Sequence, residues 1–203
     1  GRKYGRKRLY FEETAPISFR NPCCQRKSEV YKGIIVMNNN FEKDLADGQK
    51  GEQAVRHFVE SVMGIQFKKF NDNANFDILF QNPYEDPVTF EVKTDYWERD
   101  WSKGGSGNMA IEYKCRGKPS GIRTTKATYF AYYFPNIEEN QLWVIKVEDL
   151  KKLLKENNFK RVSGGETYYD NDEKVAKMFL FSRFEHKDAF DVYTWDGRGW
   201  LDT

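Results

Sequence analysis

The sequence predicts an α/β domain, and three observations carry that expectation. Asn75-Phe76-Asp77-Ile78-Leu79-Phe80 and Val88-Thr89-Phe90-Glu91-Val92-Lys93-Thr94-Asp95 both alternate apolar and polar residues, the period of strands buried on one side. The turn formers between them, Gln81 to Pro87, predict that the two strands fold back as a hairpin. Upstream, Val55, Phe58, Val59 and Val62 recur at i, i+3, i+4 and i+7, which predicts an amphipathic helix over 48–64 that stops at Gly64.

In chain order, the helix comes first and carries Glu52 in its first turn, where a carboxylate suits the positive end of the helix dipole. In the hairpin, Phe76, Ile78 and Phe80 share one face with Asp77 on the other. Val88, Phe90 and Val92 face the core while Glu91, Lys93 and Asp95 point away. The aromatic segment Tyr96 to Trp101 follows, and packing is the commoner use of such rings, with base stacking by Trp97 or Trp101 as the alternative. Ser102 to Gly107 reads as a flexible stretch able to close over a substrate. Asn108 to Cys115 alternates again, with Glu112 and Lys114 on one face and Met109, Ile111, Tyr113 and Cys115 on the other. This third strand is expected beside the 88–95 strand. In the C-terminal third, 141–147 reads as a buried strand, 148–157 as a helix, 163–165 as a loop and 176–181 as another strand.

The hairpin brings Asp77 and Glu91 together with Lys93. Two carboxylates on neighbouring strands suit Mg²⁺, which prefers oxygen ligands and keeps several waters. Such an ion acidifies a bound water and offsets charge on a phosphate, and a nearby lysine orients the attacking water. That is the chemistry of phosphodiester hydrolysis. The same residue types on a solvated strand face form ordinary ion pairs, so the pattern D-x13-E-x-K is a weak signal by itself.

With Asp77 at the aspartate position and Glu91-Val92-Lys93 as E-x-K, the segment resembles the PD-(D/E)XK nuclease superfamily, although Asn75-Phe76 stand where a proline is often written. The resemblance spans about residues 48 to 135 and implies a restriction-endonuclease-like core with a mixed central sheet flanked by helices, a Mg²⁺-dependent activity that Mn²⁺ also supports, and DNA as substrate. It further implies that Glu52, from the preceding helix, joins Asp77 and Glu91 at the metal, with Glu112 completing or supporting the site. The connection 116–127, with two glycines and Arg116, Lys118, Arg123 and Lys126, is similar to segments of phage-type members. Its glycines let a backbone approach phosphate, and Thr124 or Thr125 would cap a following helix. Lys114, Arg116, Lys118, Ser120 and Arg123 are thereby expected to bind nucleic acid. A binding module of the same fold without turnover is the alternative.

The 203 residues suffice for one domain, expected over 45–203 and preceded by a basic arm and lead-in over 1–44. The 33 basic and 31 acidic residues nearly cancel, but residues 1–32 carry a local charge of +6, as an arm touching nucleic-acid backbone would. No apolar run approaches the roughly 20 residues of a membrane span, so a soluble, cytoplasmic protein is expected, including one of a virus-infected cell. Cys23, Cys24 and Cys115 are few and odd in number, which fits a reducing compartment. Neither they nor His57 and His186 have zinc-ligand spacing. Paired nicks in a duplex call for two active sites, so a homodimer fits the same reading.

Overall fold

The computed structural model describes residues 39–71, 75–81, 83–137, 139–167 and 174–203. The basic arm over the first residues lies outside them. The structure is a mixed α/β arrangement: helices α1 (Asn39–Phe58) and α2 (Val147–Glu156), and strands β1 (Gln66–Phe70), β2 (Ile78–Gln81), β3 (Val88–Thr94), β4 (Asn108–Cys115), β5 (Lys118–Pro119), β6 (Tyr129–Phe134), β7 (Gln141–Lys146), β8 (Lys160–Thr167), β9 (Lys174–Ser182), β10 (Asp191–Trp195) and β11 (Trp200–Asp202). Seven strands form the central sheet in the order β1-β2-β3-β6-β7-β10-β11, and four form a second sheet in the order β5-β4-β9-β8. The central sheet is antiparallel except where β3 runs parallel to β6.

The alternation of apolar residues divides the core in two. One cluster joins Val55, Phe58 and Val59 of α1 to Ile78, Phe80, Phe90, Ala131 and Val144, with Val88 and Val92 packed against it. The other joins Met109, Ile111 and Tyr113 of β4 to Phe130, Tyr132, Phe134, Trp143 and Ile145, with Leu150 of α2. The central sheet is therefore covered on both sides, by α1 on one and by α2 with the second sheet on the other. Strands buried on both faces lose the clean polar side that a half-exposed sheet keeps.

Several expectations are corrected here. β4 does not lie beside β3; its partners are β5 and β9, and the place next to β3 is taken by β6. The helix already includes Asn39, so Glu52 lies well inside it and is not a helix-start acid. A π-helical turn over Val59–Met63 follows, and Gly64 ends it with φ 67°, a left-handed value that suits glycine. Phe76 precedes β2 and packs against the β4 cluster, away from Ile78 and Phe80. Residues 163–165 continue β8 and form no loop, whereas β7 and α2 lie where the sequence places them. Cys115 is disulfide-bonded, a pairing that the odd cysteine count does not indicate. Among the described residues no helix is long and apolar enough to cross a membrane.

Candidate active site

Asp77 sits one residue before β2 and brackets Glu91. Its backbone N–H donates to the carbonyl of Phe90 at 2.8 Å, and its carboxylate Oδ2 accepts the backbone N–H of Val92 at 2.8 Å. Ladder N–H groups lie in the plane of a sheet, so the carboxylate occupies the place where the next carbonyl of β2 would be. The lead-in to Asp77 is fixed as well. Asn71 donates its backbone N–H to Asp77 O at 2.7 Å, and the carbonyl of Asn75 accepts Lys126 N at 2.7 Å and the Thr125 hydroxyl at 3.1 Å.

Glu91 and Lys93 are half-buried on β3, opposite Phe130 and Tyr132 of β6. Alternation places them on the face turned from α1, because Phe90 and Val92 pack with the α1 cluster. Beyond β3, Asp95 is buried and does not point into solvent. Its Oδ2 accepts the Tyr132 hydroxyl at 3.1 Å, and Oδ1 accepts the N–H groups of Trp97 and Glu98 at 2.9 and 3.1 Å.

Glu112 reaches this face from the second sheet. Tyr132, the β6 neighbour of Lys93, accepts the backbone N–H of Ala110 at 3.3 Å and so ties β4 to the central sheet two residues before Glu112. Glu112 is 6% exposed and accepts a hydrogen bond from the Ser120 hydroxyl. Burial pushes its carboxyl pKa up, against the opposing pull of the Ser120 hydrogen bond and the charge of Lys93. The sequence places Glu112 on a solvated polar face; the structure buries it. A register shift in the β4–β9 pairing between Glu112 and Lys114 separates the environments of the two residues, and Lys114 stays half-buried.

The 116–127 connection differs from its expectation. Arg116 and Gly117 have φ 46° and 76°, the left-handed pair of a tight two-residue hairpin, and Lys118–Pro119 pair back onto Lys114 and Cys115 as β5. Only a 3-10 turn over Gly121–Arg123 follows, so no α-helix offers its N-terminus to an anion. Thr125 instead ties the segment to Asn75. Gly121, at φ 52°, lies so close to β4 that a Cβ there would overlap the carbonyl of Glu112. Arg116, Lys118, Arg123 and Lys126 are exposed, with the Arg123 guanidinium 4.8 Å from the Tyr113 ring.

Glu52 approaches from the other side of β3. The preceding Gly51 packs so tightly on Thr94 that a Cβ would overlap its Oγ1, and Thr94 shares the α1-facing parity of Phe90 and Val92. The structure thus gathers Asp77, Glu91, Lys93 and Glu112 around one face and edge of β3, while Glu52 is carried by α1, the helix that packs on the opposite face. Among the described residues no three His, Cys, Asp or Glu side chains are grouped to hold a metal ion.

A second polar cluster, which the sequence does not disclose, adjoins the site. Glu98 accepts hydrogen bonds from Ser106 N and Oγ at 3.2 and 2.7 Å and from Gly107 N at 2.8 Å, and its Oε1 lies 3.6 Å from Nη2 of Arg183. The 102–107 segment is therefore tied down from within, in contrast to the flexible stretch its glycines suggest. Nothing in the local spacing links residues 98 and 183, which meet only through the pairing of β4 with β9.

No protein-family model matches the chain, and neither a curated protein nor a solved structure gives a significant match.

Proposed function

We propose that the protein is a Mg²⁺-dependent nuclease that hydrolyses DNA phosphodiester bonds, with a core of the restriction-endonuclease-like kind. The observation that carries this reading is the bond from Val92 N–H to the Asp77 carboxylate, which holds the carboxylate beside Glu91 and Lys93. The donor set is oxygen only, and Mg²⁺ is commonly held by one or two carboxylates with waters and substrate phosphate supplying the rest. Asp77 and Glu91 fit that requirement without a third protein ligand. Mn²⁺ would substitute. When bound, the ion would acidify a water and offset charge building on the phosphate.

The chain's own residues divide the remaining work. Lys93, on the face of Glu91, orients the attacking water. Glu112, held by Ser120 and coupled electrostatically to Lys93, fixes the position of the lysine. The exposed Arg116, Lys118, Arg123 and Lys126 supply phosphate contacts that position the strand without reading its sequence.

A second reading is a nucleic-acid-binding module without turnover, favoured by the structural duty of Asp77 in capping the unpaired N–H of β3. Incubating the protein with plasmid at low salt, with Mg²⁺ and with EDTA, separates the two. Nicking or linearisation that needs the ion and is lost in Asp77→Asn supports the nuclease; retarded but intact plasmid under all conditions replaces it with the binding module.

A further inference from the structure

We propose that Arg161 of β8 and Arg123, seated on the Tyr113–Phe179 ring pair, form with Lys114 a phosphate-binding surface on the second sheet, which holds the DNA backbone outside the cleavage site. The inference rests on the nuclease reading above and adds where the DNA lies. Its starting observation is an unbroken row of contacts. The Arg123 guanidinium lies 4.8 Å from the Tyr113 ring, the Tyr113 and Phe179 rings are 4.5 Å apart, and the Arg161 guanidinium lies 5.8 Å from the Phe179 ring.

The register of the second sheet places these groups on one side. Arg161 stands directly opposite Phe179 in the β8–β9 ladder, and residues so paired point the same way. Lys177 lies two residues before Phe179 and shares its side, and Lys114 of β4 stands directly opposite Lys177. Glu112 is paired with Met178, the residue next to Phe179, and therefore points to the other side. The register shift between Glu112 and Lys114 is what turns Lys114 to the side of Tyr113. The sheet thus collects cations on one side and keeps the carboxylate of β4 on the other.

The chemistry of this side selects the occupant. Arg123 and Arg161 are exposed, and among the described residues neither forms an ion pair. A guanidinium over a ring keeps its N–H donors at its edge, where the planar fork matches a phosphate, and the ring restricts the rotamers that binding would otherwise have to fix. The ring contacts keep the two guanidiniums within about 15 Å of each other, which about four phosphates of one strand span at ~3.4 Å of helix axis each. Tyr113 is only 9% exposed, so the rings support the cations and offer no apolar core to a protein partner. The surface also begins at the candidate site. Arg123 N–H donates to the carbonyl of Ser120 at 3.2 Å, and the Ser120 hydroxyl donates to Glu112. Three residues on, Lys126 N–H is held by the carbonyl of Asn75, two residues before Asp77. Lys151 of α2 adds its ammonium to the same segment, 3.3 Å from the carbonyl of Thr125.

The test uses the full chain in EDTA, with a fluorescent DNA duplex of about 20 base pairs titrated between 50 mM and 1 M salt, and cleavage of the same duplex in Mg²⁺. Arg161→Gln keeps a planar end for the Phe179 ring and removes the charge. It should weaken binding about tenfold at 50 mM salt, converge on the parent toward 1 M, and lower the slope of log affinity against log salt by about 0.9, the effect of one duplex phosphate contact. Combined with Arg123→Gln, the loss of slope should roughly double. Arg161→Lys restores the charge and should return the slope to that of the parent, a rescue that a purely structural arginine would not show. An unchanged salt slope in Arg161→Gln, or a loss that Arg161→Lys does not rescue, overturns the surface even where the parent cleaves DNA. A parent that binds the duplex with these slopes but never cleaves it overturns the nuclease reading and leaves the surface standing. A parent that does not bind the duplex overturns both.

Discussion

Gly51 of α1 and Thr94 of β3 are in such close contact that the helix has no room for a side chain there. Thr94 Oγ1 is buried at this contact without a hydrogen-bond partner. A helix glycine costs about 1 kcal/mol relative to alanine, and here it allows α1 to sit flush on the strand that carries Glu91 and Lys93. The close approach sets the depth of α1 on the sheet.

Gly51→Ala should therefore destabilise the protein by about 1–3 kcal/mol through overpacking, despite the better helix propensity of alanine. Thr94→Val removes the unsatisfied hydroxyl at nearly constant shape and should leave stability unchanged or raise it by up to about 1 kcal/mol. Urea denaturation of both variants reads these signs, and a Gly51→Ala variant more stable than the parent would show that the helix and strand are not in tight contact.

The Glu98–Arg183 pair gives a second stability prediction. Arg183 is buried and its Nε and Nη1 have no hydrogen-bond partner, so the charge depends on Glu98, with Asp100 and Asp95 contributing at longer range. Glu98→Gln keeps the size of the side chain but strands most of that charge, at a cost of about 3–5 kcal/mol. Thermal unfolding should show a drop of many degrees, and the 102–107 backbone should lose protection in hydrogen exchange. A melting temperature equal to that of the parent would mean that the pair is solvated in solution.

The hairpin, the helix ending at Gly64, β7 and α2 are legible in the sequence because each is set by local periodicity and turn residues. The nearness of Asp77 to Glu91 and Lys93 is legible for the same reason: adjacent strands joined by a short turn bring them together. The position of β4 is not. Its alternation correctly puts Met109, Ile111 and Tyr113 in the core, but alternation says nothing about which strand pairs with which, and β4 finds β9, over 60 residues later in the chain. Glu112 reads as exposed because Lys114 two residues on shares its parity, a relationship that the register shift between them breaks. The reach of α1 back to Asn39 is invisible to periodicity because residues 39–50 carry almost no apolar stripe.

Glu112 also makes a pH prediction. Its pKa is raised in the folded state, chiefly by burial, so the folded protein holds that proton more tightly than the unfolded chain does. The resulting stability is fully present below the ordinary glutamate value of 4.5 and is lost as pH rises through the raised folded value. Glu112→Gln cannot ionise and should flatten this slope, which urea midpoints measured from pH 4 upward would show. Identical slopes in parent and variant would place Glu112 in solvent.

The exposed cations of the 116–126 segment should govern binding and not chemistry. Lys118→Ala and Arg123→Ala should raise the DNA concentration needed for half-maximal cleavage. Each should also lower the slope of log affinity against log salt by up to about 0.9 for every duplex phosphate that its side chain neutralises in the parent. Arg123→Ala also removes the guanidinium from the Tyr113 ring, so its melting temperature is measured alongside. A variant changed only in maximal rate would put that cation in the chemical step.

Separation of the metal-holding carboxylate from the lysine is the most direct test of the site. Asp77→Asn keeps an oxygen that accepts the Val92 N–H, so the hairpin should stay folded, while the charge that would hold Mg²⁺ is gone. Hydrolysis should fall by several orders of magnitude and DNA binding should persist, or tighten in EDTA because one carboxylate no longer repels phosphate. Lys93→Ala should remove most turnover and leave Mg²⁺ affinity close to that of the parent, because the lysine acts on water and not on the ion. Calorimetric titration of Mg²⁺ into the two variants distinguishes the roles: weakened binding in Asp77→Asn alone is the expected result. Undiminished Mg²⁺ binding in an Asp77→Asn, Glu91→Gln double variant would mean that the β2–β3 hairpin is not where the ion sits, and the nuclease proposal would lose the geometry on which it stands.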